Sequence, residues 1–313
     1  MFGGAQSTLT PHSHAAADVA NLFWVMMGVA FGGLALIVGM LVWSRVRRGS
    51  RVSERATWLV VVGMGVVFPL AIVSALFVVS DALLINVTDA PAAGTTALTV
   101  DAIGHDWYWE FRYPGTGSSS GAVTADEMHM PVDTPVNLVA TTADVIHSFW
   151  VPELNRKIDT IPGQRNRIEL DANAVGVYRG QCAEFCGIQH AHMSMVVVVQ
   201  TKAAFATWLR NEEAPARAPA TAVEREGEST FSTAGCASCH AIRGTSASGY
   251  VGPDLTHLGS RSWLAGLVLR NTPPNLARWI SEPQQIKPGN EMPDLTLSPA
   301  QLHGLVAYLE SLK

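Results

Sequence analysis

Between Cys182 and Met193 the chain reads CAEFCGIQHAHM, which places two cysteines, two histidines and a methionine within twelve residues. A further histidine, His147, stands upstream in DVIHSFWVP. Thiolate and thioether sulfur, together with imidazole, select copper over magnesium, calcium or manganese. One cysteine with histidines suggests a mononuclear centre. Two cysteines four residues apart, each able to bridge, suggest two coppers sharing a pair of sulfurs, the pattern of binuclear CuA. Zinc also accepts Cys and His at short spacing, but a methionine in register favours copper.

A second constellation lies at CASCH, residues 236–240. This is a c-type haem attachment sequence: Cys236 and Cys239 add across the vinyl groups and His240 ligates the iron. The adjoining histidine and the lack of a βαβ pattern argue against a thioredoxin-like CxxC. The four cysteines are then all assigned, and none is left for a structural disulfide. For the sixth iron position, Met292 in GNEMPDL is the one methionine after Met195; Met/His coordination is typical of electron-carrying cytochromes c. His257 and His303 are rival ligands.

These residues need a frame. The chain has 313 residues, 48% hydrophobic and 15% charged. From Val19 to Ser44 and from Ala56 to Ser80 there is no charged residue, and each run exceeds the ~20 residues that cross a bilayer as a helix. Pro69 lies in the second run, where a membrane helix tolerates it. Between them, residues 45–55 carry five arginines against Glu54, so this loop is expected on the cytoplasmic side. The organisation read from the sequence is an extracytoplasmic segment 1–18, a transmembrane hairpin 19–81, a domain over 82–212, an Ala/Pro linker 213–221 and a domain over 222–313.

Within 82–212, TTALTVDAIGHDWYWEFRY reads as a strand followed by an aromatic cluster, and TPVNLVATTADVIHSFWVP, RNRIELDA, GVYRGQC and MVVVVQT continue a strand-and-turn pattern that implies an all-β Greek-key barrel or sandwich. KAAFATWLRNEEA reads as a closing helix. Beyond the linker, VEREGESTFSTAG, SWLAGLVLR, NLARWISEP and SPAQLHGLVAYLESLK read as helices; in the last, Ser298 and Gln301 have capping-box spacing and Pro299 suits the first turn. Net charge is +2 over 1–81, −6 over 82–220 and −1 over 221–313. Nothing in this pattern suggests nucleic-acid binding.

The copper loop with its upstream histidine run, over residues 15–205, resembles subunit II of haem-copper cytochrome c oxidases. CASCH, VGPDLTHLGSR and GNEMPDL resemble class I cytochromes c over 222–313. Together they resemble the fused subunit of bacterial caa3-type oxidases. The implied architecture is a multidomain membrane protein: a two-helix transmembrane hairpin, an all-β cupredoxin-like barrel and an all-α class I cytochrome c domain. The resemblance implies copper ligation by His147, Cys182, Cys186, His190 and Met193, with Glu184 giving its backbone carbonyl. It implies that the Glu184 side chain reaches a magnesium or manganese ion shared with subunit I. It implies that Trp107, in GHDWYWEF, passes electrons to CuA. His192 is expected to be exposed and Met195 to be strand core, while Glu54 reads as a solvated loop residue. No cysteine precedes Cys182, so a lipid anchor is not expected.

The function so implied is electron input to a terminal oxidase: a donor cytochrome or other reductant, then haem c, CuA and the haem of subunit I, with oxygen reduced to water and protons pumped. The implied setting is the bacterial inner membrane, in contact with lipid, with subunits I and III as partners and both termini and the soluble domains on the periplasmic side. Rival readings are a CuA-bearing subunit of a nitric oxide reductase, a membrane-anchored redox sensor and a copper-delivery protein. The covalent haem argues against delivery, and the short inward loop against a sensor with a cytoplasmic output domain.

Overall fold

The computed structural model describes residues 6–47, 53–88, 91, 96, 98–115 and 121–313. Arg48 and Arg51 of the basic loop lie outside the described residues. Among the described residues, two helices are long and apolar enough to cross a membrane. The first, α1 (His14–Val46), has 33 residues, about 50 Å at 1.5 Å per residue. The second runs as α2 (Glu54–Val62), a π-helical turn at Gly63–Val67 and α3 (Phe68–Thr88). The π turn ends two residues before Pro69, whose ring, without an N–H, would clash with the preceding turn of a regular α ladder.

The sheet-rich domain packs two five-stranded layers. One orders β3 (Ala122–Ala125), β2 (Tyr108–Tyr113), β1 (Leu98–His105), β5 (Val136–Thr142) and β8 (Asn166–Leu170). The other orders β4 (Glu127–Pro131), β10 (Ser194–Gln200), β9 (Gly176–Cys182), β6 (His147–Trp150) and β7 (Ile158–Thr160). Pairing is antiparallel except for β1 with β5 and β4 with β10, which gives the cupredoxin-like crossovers. The aromatic cluster is itself a strand: the chain turns at Asp106–Trp107 and returns as β2, with Gly104 opposite Trp109. Alternation then sends Trp109 and Phe111 inward, where both meet the Phe149 ring edge-on.

After β10, α4 (Lys202–Glu212) closes this domain, and α5 (Ala222–Thr233) opens the next. The cytochrome-like domain also holds α6 (Pro273–Ser281), α7 (Pro283–Ile286) and α8 (Pro299–Ser311). Its core is built on Phe231, Leu276, Ile280, Leu305 and Tyr308. The Ser298–Gln301 capping box forms in full. One segment departs from expectation: SWLAGLVLR is not a helix but a small hairpin of β11 (Trp263–Leu264) and β12 (Leu269–Arg270). Ala265, Gly266 and Leu267 at its tip have φ of 57°, 71° and 68°, values that a right-handed helix excludes.

Candidate metal and haem sites

The end of β6, the end of β9 and the loop before β10 meet at one corner of the sheet-rich domain. Cys182 Sγ lies 3.7 Å from Cys186 Sγ and 4.0 Å from His147 Nδ1. Cys186 Sγ in turn lies 3.6 Å from His190 Nδ1 and 3.8 Å from Met193 Sδ. The Glu184 carbonyl is 3.1 Å from Cys182 Sγ. His147, Cys182, Cys186 and Met193 are buried. The six residues thus surround one small space with two sulfurs at its centre. This donor set fits copper, since it joins soft sulfur to imidazole with no hard-ligand majority.

Two features outside that set make the geometry possible. His147 Nε2 donates to Asp144 Oδ1 at 2.8 Å, which fixes the ring and leaves Nδ1 facing the sulfurs. A Cβ on Gly104 would stand 2.5 Å from the His147 ring, so glycine at that position gives the imidazole its room. Burial alone would lower the His147 pKa. The Asp144 hydrogen bond and the Cys182 sulfur outweigh it and carry the imidazole up to about 9. The hydrogen bond shared with Cys186, opposed by burial and aided by His147, holds Cys182 as the thiolate, while Cys186 is pushed up as the thiol. Asp144 was not singled out from the sequence; its signal is a carboxylate three residues before a ligand-type histidine.

The second site is a cavity of about 420 Å³. Cys236, Cys239, His240 and Met292 line it. His240 Nδ1 donates to the Pro253 carbonyl at 2.8 Å, so Nε2 carries the free lone pair. Burial lowers the pKa of this ring, which keeps it neutral and able to ligate a metal. A Cβ on Gly252 would strike the His240 ring. An apolar slot with two cysteines, a tautomer-fixed histidine and a thioether suits a covalently held haem. His257 is instead buried elsewhere, its Nε2 donating to the Ala214 carbonyl, and His303 is exposed on α8. Neither lines the cavity.

Asp106, Trp107 and Asp126 of the sheet-rich domain line the same cavity. Trp107 Nε1 donates to the Cys186 carbonyl at 2.7 Å, and its ring lies over Gly187, where a Cβ would come within 3.0 Å. Trp107 therefore touches both the sulfur loop and the cavity. Glu184 Oε2 lies 3.6 Å from Lys157 Nζ. His192 is exposed, and Met195 is buried in β10.

Comparison with known proteins agrees with both halves. Residues 116–201 match the family described as cytochrome c oxidase subunit II, periplasmic domain, and residues 224–313 match the family described as cytochrome c. The chain is similar to cytochrome c oxidase subunit 2 of Alkalihalophilus pseudofirmus, 36% identical over 71% of this chain and 64% of that protein. It is also similar to cytochrome c oxidase subunit 2 of Bacillus subtilis, 31% identical over 69% of this chain and 63% of that protein. The chain thus spans just under two thirds of the length of these relatives. Among solved structures, the periplasmic domain of subunit II of cytochrome oxidase of Bradyrhizobium japonicum matches 40% of this chain and 97% of that one, at 31% identity and a TM-score of 0.37.

Proposed function

We propose that the chain is a member of the subunit II family of cytochrome c oxidases with a cytochrome c domain, and that it is the electron-input subunit of a bacterial terminal respiratory oxidase, a reading supported by the two family matches and the similarity to the Alkalihalophilus subunit. When bound, haem c and binuclear CuA supply the one-electron chemistry that links a donor cytochrome or other reductant to the haem of subunit I, for reduction of oxygen to water with proton pumping. The chain's own residues hold and orient these groups. Cys236 and Cys239 would anchor the haem, and His240 and Met292 would hold its iron. His147, Cys182, Cys186, His190, Met193 and the Glu184 carbonyl would hold the copper. A magnesium or manganese ion shared with subunit I would take the Glu184 side chain from Lys157.

The observation that carries this reading is Trp107, which borders the haem-type cavity and donates a hydrogen bond into the copper loop. A protein partner at the copper end is supported by Val145, Ile146, Phe185 and Ile188, exposed apolar residues on the two ligand-bearing segments. We place the chain in the bacterial inner membrane as a two-pass protein, with lipid around the hairpin, both termini and the soluble domains on the periplasmic side, and subunits I and III as neighbours. The domain limits are those read from the sequence. Orientation is supported at the start of α1. There the His12 amide donates to the Glu153 carbonyl at 2.8 Å, the Asn173 amide to the His12 carbonyl at 2.9 Å, and Ser13 Oγ to the Leu154 carbonyl. Both ends of the hairpin thus lie on the copper-domain side.

The direct test is to purify the chain from its native membranes and assay the preparation with reduced cytochrome c. Oxygen uptake is expected. Turnover of nitric oxide without oxygen uptake would replace this reading with the reductase.

Two further outcomes follow from the copper site. Asp144→Asn should weaken copper binding by about 10–100-fold, the usual effect of losing a partner that orients a metal-bound histidine; competition with a copper chelator measures it, and unchanged affinity would count against the orienting role. Copper uptake by the apoprotein should release protons, and affinity should rise with pH through about 9 and beyond, because His147 stays protonated to about that pH, Cys186 holds its proton higher still, and both must lose it to bind. Proton release into weakly buffered solution reads this out, and a pH-independent affinity would contradict it.

A further inference from the structure

Lys287 follows α7 in the cytochrome-like domain, yet it is only 3% exposed. Its ammonium donates to the Trp107 carbonyl at 2.5 Å and the His192 carbonyl at 3.0 Å, both in the copper-type domain, and to its own domain's Ala265 carbonyl at 3.2 Å. Three donors meet three acceptors, the full capacity of the group. A buried cation costs several kcal/mol of lost hydration unless its environment returns it, and here the return comes only when the two domains are docked.

The surroundings of Lys287 are built to the same purpose. The Gly266 amide donates to Asp126 Oδ2 at 2.9 Å and the Ser262 amide to Glu127 Oε2 at 3.0 Å, both across the domain boundary. Gln189 Nε2 in the copper loop donates to the Pro288 carbonyl at 2.7 Å. Two glycines of the haem-type domain with positive φ, Gly266 and Gly289, press so closely on the copper loop that a Cβ would strike the His192 carbonyl and the Ile188 side chain. An incidental contact between tethered domains would use exposed rim residues and solvated lysines. This one uses a buried cation, buried carboxylates and glycines that admit no side chain.

We propose that Lys287 is a positioning residue that locks the haem domain onto the copper domain in one orientation and thereby fixes Trp107 between the two cofactor sites. The proposal rests on the copper and haem assignment above, and its test separates the two. In Lys287→Met holoprotein, purified as the full chain, amide hydrogen exchange of the peptides holding Ser262 and Gly266 should accelerate by at least about tenfold, since these amides donate across the boundary and would then exchange through domain opening. Electron transfer from photoreduced haem to copper should slow by a similar factor, while the copper resonance and haem absorption spectra stay as in the wild type. Lys287→Arg, which keeps the donors, should recover part of the rate.

Wild-type exchange and transfer in Lys287→Met would overturn the proposal; a wild-type protein with no copper resonance or no haem absorption would instead overturn the cofactor assignment. A measurement on the unaltered protein covers the case in which Lys287→Met does not load haem. A water-soluble acylating reagent should modify Lys287 at least about tenfold more slowly than exposed Lys202, for lack of open states. Equal labelling would overturn the lock without any variant.

Discussion

Cys186→Ser should empty the copper site and leave the haem in place. Cys186 Sγ is the hub of the cluster, within 3.8 Å of Cys182 Sγ, His190 Nδ1 and Met193 Sδ. A serine hydroxyl is close in size but is a hard oxygen donor that does not bridge copper as a thiolate does. Loss of a ligand itself must exceed the ~10–100-fold loss seen for an outer partner such as Asp144. The copper content of the purified chain should therefore fall below about a tenth of wild type, with haem iron unchanged. The sheet-rich domain should still melt cooperatively, because its core of Trp109, Phe111, Phe149 and Met128 is untouched. Wild-type copper content in Cys186→Ser protein would remove Cys186 from the ligand set.

Gly227→Val should strongly destabilise the haem domain while sparing the copper domain. Gly227 on α5 meets Gly304 on α8 backbone to backbone: a Cβ on Gly227 would strike the Gly304 carbonyl and stand 2.6 Å from Tyr308 Cβ. Flexible side chains can step aside from an added methyl group, but a helix backbone cannot without separating the two helices. Overpacking costs about 1–3 kcal/mol where the neighbours can adjust, and occasionally more; an obstacle made of backbone puts this change at about 3 kcal/mol or above. That is a large part of the ~5–15 kcal/mol that holds a domain folded. Denaturant titration should show the haem-domain transition moved to lower concentration, with the copper-domain transition in place. Unchanged midpoints for both would contradict the packing described for α5 and α8.

The two cofactor loops were legible because their chemistry is local. Five ligand-type side chains in CAEFCGIQHAHM, and the five letters of CASCH, state their purpose whatever the rest of the chain does. The apolar runs of α1 and the second span were legible for a similar reason, since the bilayer acts on composition over about 20 residues. The pairing of His147 with the cysteines came from resemblance, because a separation of 35 residues carries no spacing rule.

What stayed hidden was non-local. SWLAGLVLR has apolar spacing that suits a helix, but its tip is held in left-handed backbone, and the Gly266 amide is taken by Asp126 from 140 residues away. Lys287 sits in the polar run EPQQIKPGNE and has every sequence mark of a surface lysine; its burial exists only in the docked pair of domains. Asp144 likewise reads as an ordinary turn carboxylate in TTADVIH until β6 brings the His147 ring onto it.

The proposed function stands or falls with a binuclear copper centre in the sulfur loop beside a covalent haem. The most direct measurement is metal analysis together with electron paramagnetic resonance on the full chain purified from membranes. About two coppers for each haem iron are expected, with a hyperfine pattern from one electron shared equally between two copper nuclei. Zinc in the loop, or the spectrum of a single isolated copper, would contradict it and would leave only the haem domain standing.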